Sequence, residues 1–255
     1  MRRLVGSGVP FKTEPDIPSW LRSVTVTAAA EQREDWPYDA WVANPVLKRY
    51  RTRLEAIEDR WATMDGIDRE WLYELSDGPV MPFFLAIMAF GYGMTGVGVT
   101  RVTWMLERTD GAEERLGKIR DAARVSALQG WDALWDTSTR VKSLGTSFGT
   151  KLPHFSGYRQ PAQRPLILDK NVYLGLLDAG VEVPSLWERR NVYASYIGLA
   201  ERWATQAGFD AACQFGGSDV IEFGLFQRGR RRERRRRLAA RRLKLGLPSD
   251  SSPSS

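Results

Sequence analysis

Leu144-Gly145-Thr146-Ser147-Phe148-Gly149-Thr150-Lys151 and, a short way on, Pro165-Leu166-Ile167-Leu168-Asp169-Lys170-Asn171-Val172 are two segments of contrasting texture. The first is a glycine-containing turn ending in a lysine. Leu152, Phe155 and Tyr158 follow at helical spacing, so Lys151 stands at a helix start. The second is an extended apolar run that enters the core and delivers Asp169 to the N-cap of the next helix. Both polar groups then face one cleft. Desolvation favours the neutral form of a lysine, and the free amine is a nucleophile. A carboxylate at a helix N-terminus is held as the anion by the dipole and the free N–H groups. Lys151 is therefore the candidate nucleophile and Asp169 its partner.

Around these segments the pattern is helical. Apolar residues at Val46, Leu47, Tyr50, Leu54, Ile57 and Trp61 predict a helix over 44–61, and Asp68 caps a short helix carrying Trp71, Leu72 and Leu75. Further helices are expected over 100–108, 112–129, 130–144, 169–179, 184–207 and 218–226. Residues 78–100 carry no charge, but Pro82 and the glycines at 91, 93, 96 and 98 argue for a buried helix over 82–90 running into a Gly-rich loop, not for a membrane span. Residues 1–30 read as an irregular arm, 31–227 as an all-α body with a hairpin near 144–151, and 228–255 as an Arg-rich then Pro/Ser-rich tail.

Composition removes several chemistries. Cys213 is the only thiol and His154 the only imidazole, so a disulfide within the chain, a Cys/His zinc site and a four-cysteine iron–sulfur cluster lack their parts. Neither a metal nor an organic cofactor is called for. The formal charge of +6 is unevenly placed: residues 228–244 hold ten Arg and one Lys against Glu233, a local +10, which leaves 6 − 10 = −4 for the rest. A run so dense binds polyanions with strong salt dependence. The N-terminus shows no secretory signal, so cytoplasmic residence is expected.

The two quoted segments resemble the active-site region of the helix-hairpin-helix DNA glycosylases, closest to the 8-oxoguanine glycosylase branch, over 144–177 and less distinctly over 91–98 and 218–226. The resemblance implies a helix-hairpin-helix glycosylase fold in which the hairpin grips a DNA phosphate, Lys151 attacks the sugar C1′ and Asp169 completes the site. It implies DNA contacts by Thr146, Ser147, Gly149, Thr150 and Asn171, to which the basic run adds Arg230, Arg231 and Arg232. Thr146 and Ser147 stand where the usual hairpin has Pro and Gly. Gly91, Gly93, His154 and Phe155 are candidates for a base pocket, with a surface or phosphate-facing place as the other reading of His154. Trp131 and Trp135 are candidates for base stacking.

Such an enzyme flips the base from double-stranded DNA, breaks the glycosidic bond and leaves an abasic site, with strand nicking by β-elimination as a secondary expectation. The resemblance leaves two base classes: 8-oxoguanine in base-excision repair, and hypermodified cytosine of phage DNA, such as glucosylated hydroxymethylcytosine, in antiviral defence. The acidic body and the incomplete hairpin favour the second. The rivals are a non-catalytic nucleic-acid-binding protein relying on the Arg-rich tail and a Schiff-base enzyme for small carbonyl compounds. A helical chain offers the latter no strand barrel.

Overall fold

The computed structural model describes residue 11 and residues 15–159, 163–185, 187–209 and 217–244. The described residues are predominantly helical, as expected, and hold one two-residue antiparallel pairing of β1 (Arg33–Glu34) with β2 (Ile67–Asp68). Of the expected N-terminal arm, residues 1–10 and 12–14 lie outside the described residues, and its later part forms two short helices, α1 (Ser19–Arg22) and α2 (Val26–Ala30), the second capped by Thr25. Leu21 of α1 is fully buried, which explains why the segment folds onto the body. After α3 (Tyr38–Val42), Asn44 Oδ1 accepts from the N–H groups of Val46 and Leu47 and starts a 3-10 turn, Leu47–Tyr50. The helix expected over 44–61 is therefore α4, Arg51–Met64. Asp68 caps α5 (Arg69–Leu75) through Trp71 N–H at 2.7 Å.

The uncharged stretch forms α6 (Val80–Tyr92), buried from Val80 to Phe90, and α7 (Val97–Glu107) follows. Among the described residues no helix is long and apolar enough to cross a membrane. The boundary expected between helices over 112–129 and 130–144 falls earlier, between α8 (Ala112–Val125) and α9 (Ala127–Trp135), because Ser126 adopts extended backbone and its hydroxyl caps α9 through Gln129 N–H. Helix α9 stops at Trp135, short of the expected 144, where Asp136 turns extended and its carboxylate takes the N–H and hydroxyl of Ser138. The turn between α9 and the lysine-bearing helix thus occupies 136–145. Residues expected in the hairpin are already helical, as α10 (Thr146–Gly149) and α11 (Lys151–Ser156) joined through Thr150.

Helix α12 (Lys170–Asp178) leads to α13 (Arg190–Ala207), which starts later than expected because Arg189 is still extended. The last helix, α14, runs unbroken over Ser218–Lys244, so the expected boundary between body and tail at 227/228 falls inside it. Arginine is a good helix former, and Glu233 pairs with Arg237 one turn on at 3.2 Å. The expected Pro/Ser end, 248–255, lies outside the described residues. Helices α12 and α14 touch backbone to backbone: a Cβ on Gly175 would lie 2.2 Å from the Leu225 carbonyl oxygen, and one on Gly229 1.8 Å from that of Asn171.

Two apolar cores result. One gathers around α6 with Trp36, Trp41, Leu54, Leu72, Leu152 and Phe155. The other joins α12, α13 and the start of α14 through Leu176, Tyr193, Trp203, Ile221 and Leu225. The extended Leu166-Ile167-Leu168 run divides its side chains between them, with Ile167 in the first and Leu166 and Leu168 in the second. This is the period-two alternation of an extended chain buried on both faces. Asp169 therefore emerges at the seam between the cores.

Candidate active site

Asp169 is the N-cap of α12, and its Oδ1 accepts from Val172 N–H at 2.9 Å. Its Oδ2 lies 3.8 Å from Nζ of Lys151 at the first position of α11. Lys151 is 6% exposed and Asp169 8%. Two short links fix this apposition. The hydroxyl of Thr150 accepts from Leu168 N–H at 3.0 Å and donates to the Thr146 carbonyl at 2.9 Å. One turn on, His154 Nδ1 donates to the Pro165 carbonyl at 2.9 Å. The residues before the lysine and before the aspartate are thus tied together.

The lysine stem packs on a glycine. A Cβ on Gly91 would approach Lys151 Cε to 3.0 Å and the Phe148 ring to 2.8 Å. The Tyr92 ring stacks on Phe148 with centroids 3.8 Å apart, and Lys151 Nζ lies 5.7 Å from the Phe148 centroid. An aromatic wall therefore backs the amine.

The pair opens into a cleft of about 930 Å³. Of the residues named from the sequence, Gly91, Gly93, Asn171 and Arg230 line it. Arg231 and Arg232 do not; they line a separate shallow recess with Asp178. Thr146, Gly149 and Thr150 are buried in the helix start, and Ser147 alone of the four expected hairpin contacts is partly exposed. Trp131 is 3% exposed and stacks on Tyr193 with centroids 4.4 Å apart, a core role, and Trp135 lies at the end of α9, outside the cleft lining.

His154 and Phe155 lie behind Lys151, fully buried, and do not line the cleft. The surface reading of His154 is corrected too. Its Nε2 receives Tyr73 Oη at 3.1 Å and Arg69 Nη1 at 3.4 Å. Arginine can only donate, so Nε2 is an acceptor and the ring is the neutral Nδ1–H tautomer. Burial first, and the Arg69 charge second, hold its pKa well below the usual imidazole value.

Residues not singled out in the sequence form the cleft floor. Arg69, on α5, donates from Nε to Gln32 Oε1 at 2.8 Å and pairs through Nη1 with Glu222 Oε2, also at 2.8 Å. Glu222 is fully buried, and its Oε1 has no hydrogen-bond partner among the described residues. Burial raises its pKa despite Arg69. Behind it, burial pushes Asp219 up to about 7, against the pull of Arg164 at 3.1 Å. The signal available in the sequence was a single carboxylate inside the apolar Val220-Ile221-Glu222-Phe223-Gly224-Leu225 run. Its partner, Arg69, lies far away along the chain.

No curated protein and no solved structure matches the chain. Residues 23–226 match the family described as "Putative 8-oxoguanine DNA glycosylase OGG-like protein", a span that holds every helix from α2 through the buried part of α14 and both Lys151 and Asp169. With most of its length accounted for in this way, the chain belongs to the OGG-like DNA glycosylase family.

Proposed function

We propose that this protein is a DNA glycosylase that removes a modified base from double-stranded DNA, with Lys151 as nucleophile and Asp169 as the charge-stabilising carboxylate. The observation that carries the reading is the buried pair itself: an amine and a carboxylate 3.8 Å apart at the mouth of a cleft. The flipped nucleotide places C1′ beside Nζ. As the glycosidic bond lengthens, positive charge gathers on the sugar, and the carboxylate, already fixed by its cap to Val172, stabilises it without reorganising. The base leaves with the bonding electrons and takes up a proton. The Nζ lone pair forms the new bond to C1′, and the amine proton is lost to a nearby base. Opening of the sugar ring gives an imine, which water releases as an abasic site or which β-eliminates the 3′ phosphate.

The Glu222 oxygen that has no partner among the described residues supports a ligand that brings an N–H donor, as nucleobases do. The cleft volume sits at the upper end of the roughly 300–1,000 Å³ typical of small-molecule sites. That space, which also runs under the α14 arginines, supports a base carrying a bulky polar substituent, such as glucosylated hydroxymethylcytosine in phage DNA. The family description favours 8-oxoguanine as the second reading.

Borohydride trapping tests both. Wild type and Lys151→Ala are incubated with duplexes carrying 8-oxoguanine, glucosylated hydroxymethylcytosine, uracil or no lesion. A covalent adduct on one substrate, absent in the variant, is the expected result and names the base. Absence of both adducts and abasic sites across the panel, with duplex binding intact, would leave the non-catalytic binding protein in its place.

A further inference from the structure

Helix α14 does not carry its arginines as an undirected brush. Arg230, Arg234, Arg237 and Arg241 recur at intervals of four, three and four residues, which puts them on one helical face, and all four line the cleft that holds Lys151 and Asp169. Arg228, Arg231, Arg232 and Arg235 lie on the opposite side, around Asp178 of α12. Asp178 pairs with Arg228 and, at 3.7 Å, with Arg232. That face docks the helix. On the cleft face two carboxylates act as pins: Glu34 holds Arg230 at 3.3 Å, and Glu233 holds Arg237 at 3.2 Å and Lys170 at 2.9 Å. Arg234 and Arg241 have no ion-pair partner among the described residues and stand exposed over the cleft.

We propose that Arg230, Arg234, Arg237 and Arg241 form a phosphate rail for one DNA strand, leading from the Lys151–Asp169 pair outward along α14. The eleven steps of helix from Arg230 to Arg241 span about 16 Å, long enough to meet several successive phosphates of one strand. The backbone contact of Gly229 with Asn171 sets the rail's height over the site, because the first rail arginine follows it directly. Contacts of this kind position the strand and leave base choice to the cleft floor. The rail rests on reading the cleft as a glycosylase site, but its test does not need catalysis.

The test is the salt dependence of binding to an unmodified duplex. Arg234→Ala/Arg237→Ala/Arg241→Ala is compared with Arg231→Ala/Arg235→Ala/Arg236→Ala; both remove the same charge from the same helix, and alanine preserves helicity, which circular dichroism checks. With each lost phosphate contact worth about 0.9 in the slope of log K against log salt, the cleft-face variant should be shallower than wild type by about 2–3 and the other variant by less than about 1. Equal changes in the two variants, or no duplex binding by wild type, would overturn the rail. Equal or tighter binding of duplex RNA would assign the face to RNA. A difference between faces with no trapped adduct would keep the rail and reject the glycosylase; an adduct with no difference between faces would do the reverse.

Discussion

The backbone N–H of Leu168 donates to Oγ1 of Thr150 across 3.0 Å, joining the residue before Asp169 to the residue before Lys151. Both are buried, so the bond has no competing water. Replacing Thr150 with Val keeps the shape and orphans the Leu168 N–H, at a cost of about 1–3 kcal/mol. The carboxylate then drifts from the amine, and misplacement of about 1 Å can cost about 100-fold in rate. Single-turnover adduct formation by Thr150→Val should fall by more than its stability loss explains, and Thr150→Ser should restore it. A Val variant as fast as wild type would show that the link is dispensable.

The cleft floor is held by a buried ion pair whose halves are unequal in their other support. Arg69 keeps bonds to Gln32 and His154 when Glu222 is removed, but its charge is left uncompensated. Glu222→Leu should therefore lose about 3–5 kcal/mol in urea unfolding. Arg69→Met combined with Glu222→Leu should recover part of that loss, because neither half of this pair is then left buried without the other. A double variant less stable than the sum of the singles would contradict this account.

His154 makes stability depend on pH with a definite sign. The unfolded chain protonates this imidazole near 6.5, whereas the folded protein resists protonation to a lower pH. Between those values the unfolded state binds more protons, so stability rises with pH. The contribution is complete above about pH 6.5 and is lost as the pH falls through the window toward the depressed value. As the chain's single histidine, it gives an unambiguous NMR titration. Its ring signals should not move near pH 6.5 in the folded protein; a midpoint there would refute the buried neutral tautomer.

Gly91 tests how closely the lysine must pack. An added Cβ would press on Phe148 at 2.8 Å and on Lys151 Cε at 3.0 Å, with Tyr92 stacked behind the ring. Overpacking of this kind costs about 1–3 kcal/mol. Gly91→Ala should slow adduct formation while duplex affinity stays near wild type, since the rail is untouched. Reduced affinity with unchanged chemistry would place Gly91 in DNA binding and not behind the amine.

The sequence by itself determined what short-range chemistry can encode. The three- and four-residue spacing of apolar side chains made the body helical, and the apolar run 165–168 ending in an aspartate placed Asp169 as an N-cap. The glycine turn ending in Lys151 marked the other half of the pair. Helix boundaries were less legible, because the side chains of Ser126 and Asp136 bond backbone N–H groups at the two ends of α9, a competition that apolar periodicity does not register. The tertiary structure decided everything that depends on distant partners. It buried His154 against Arg69, Tyr73 and Pro165, and it paired Glu222 with an arginine from a different part of the chain. It also divided the arginines of α14 between a docked face and a cleft face. Charge and burial are set by what packs opposite a residue, and in this chain those groups come from helices far apart in sequence.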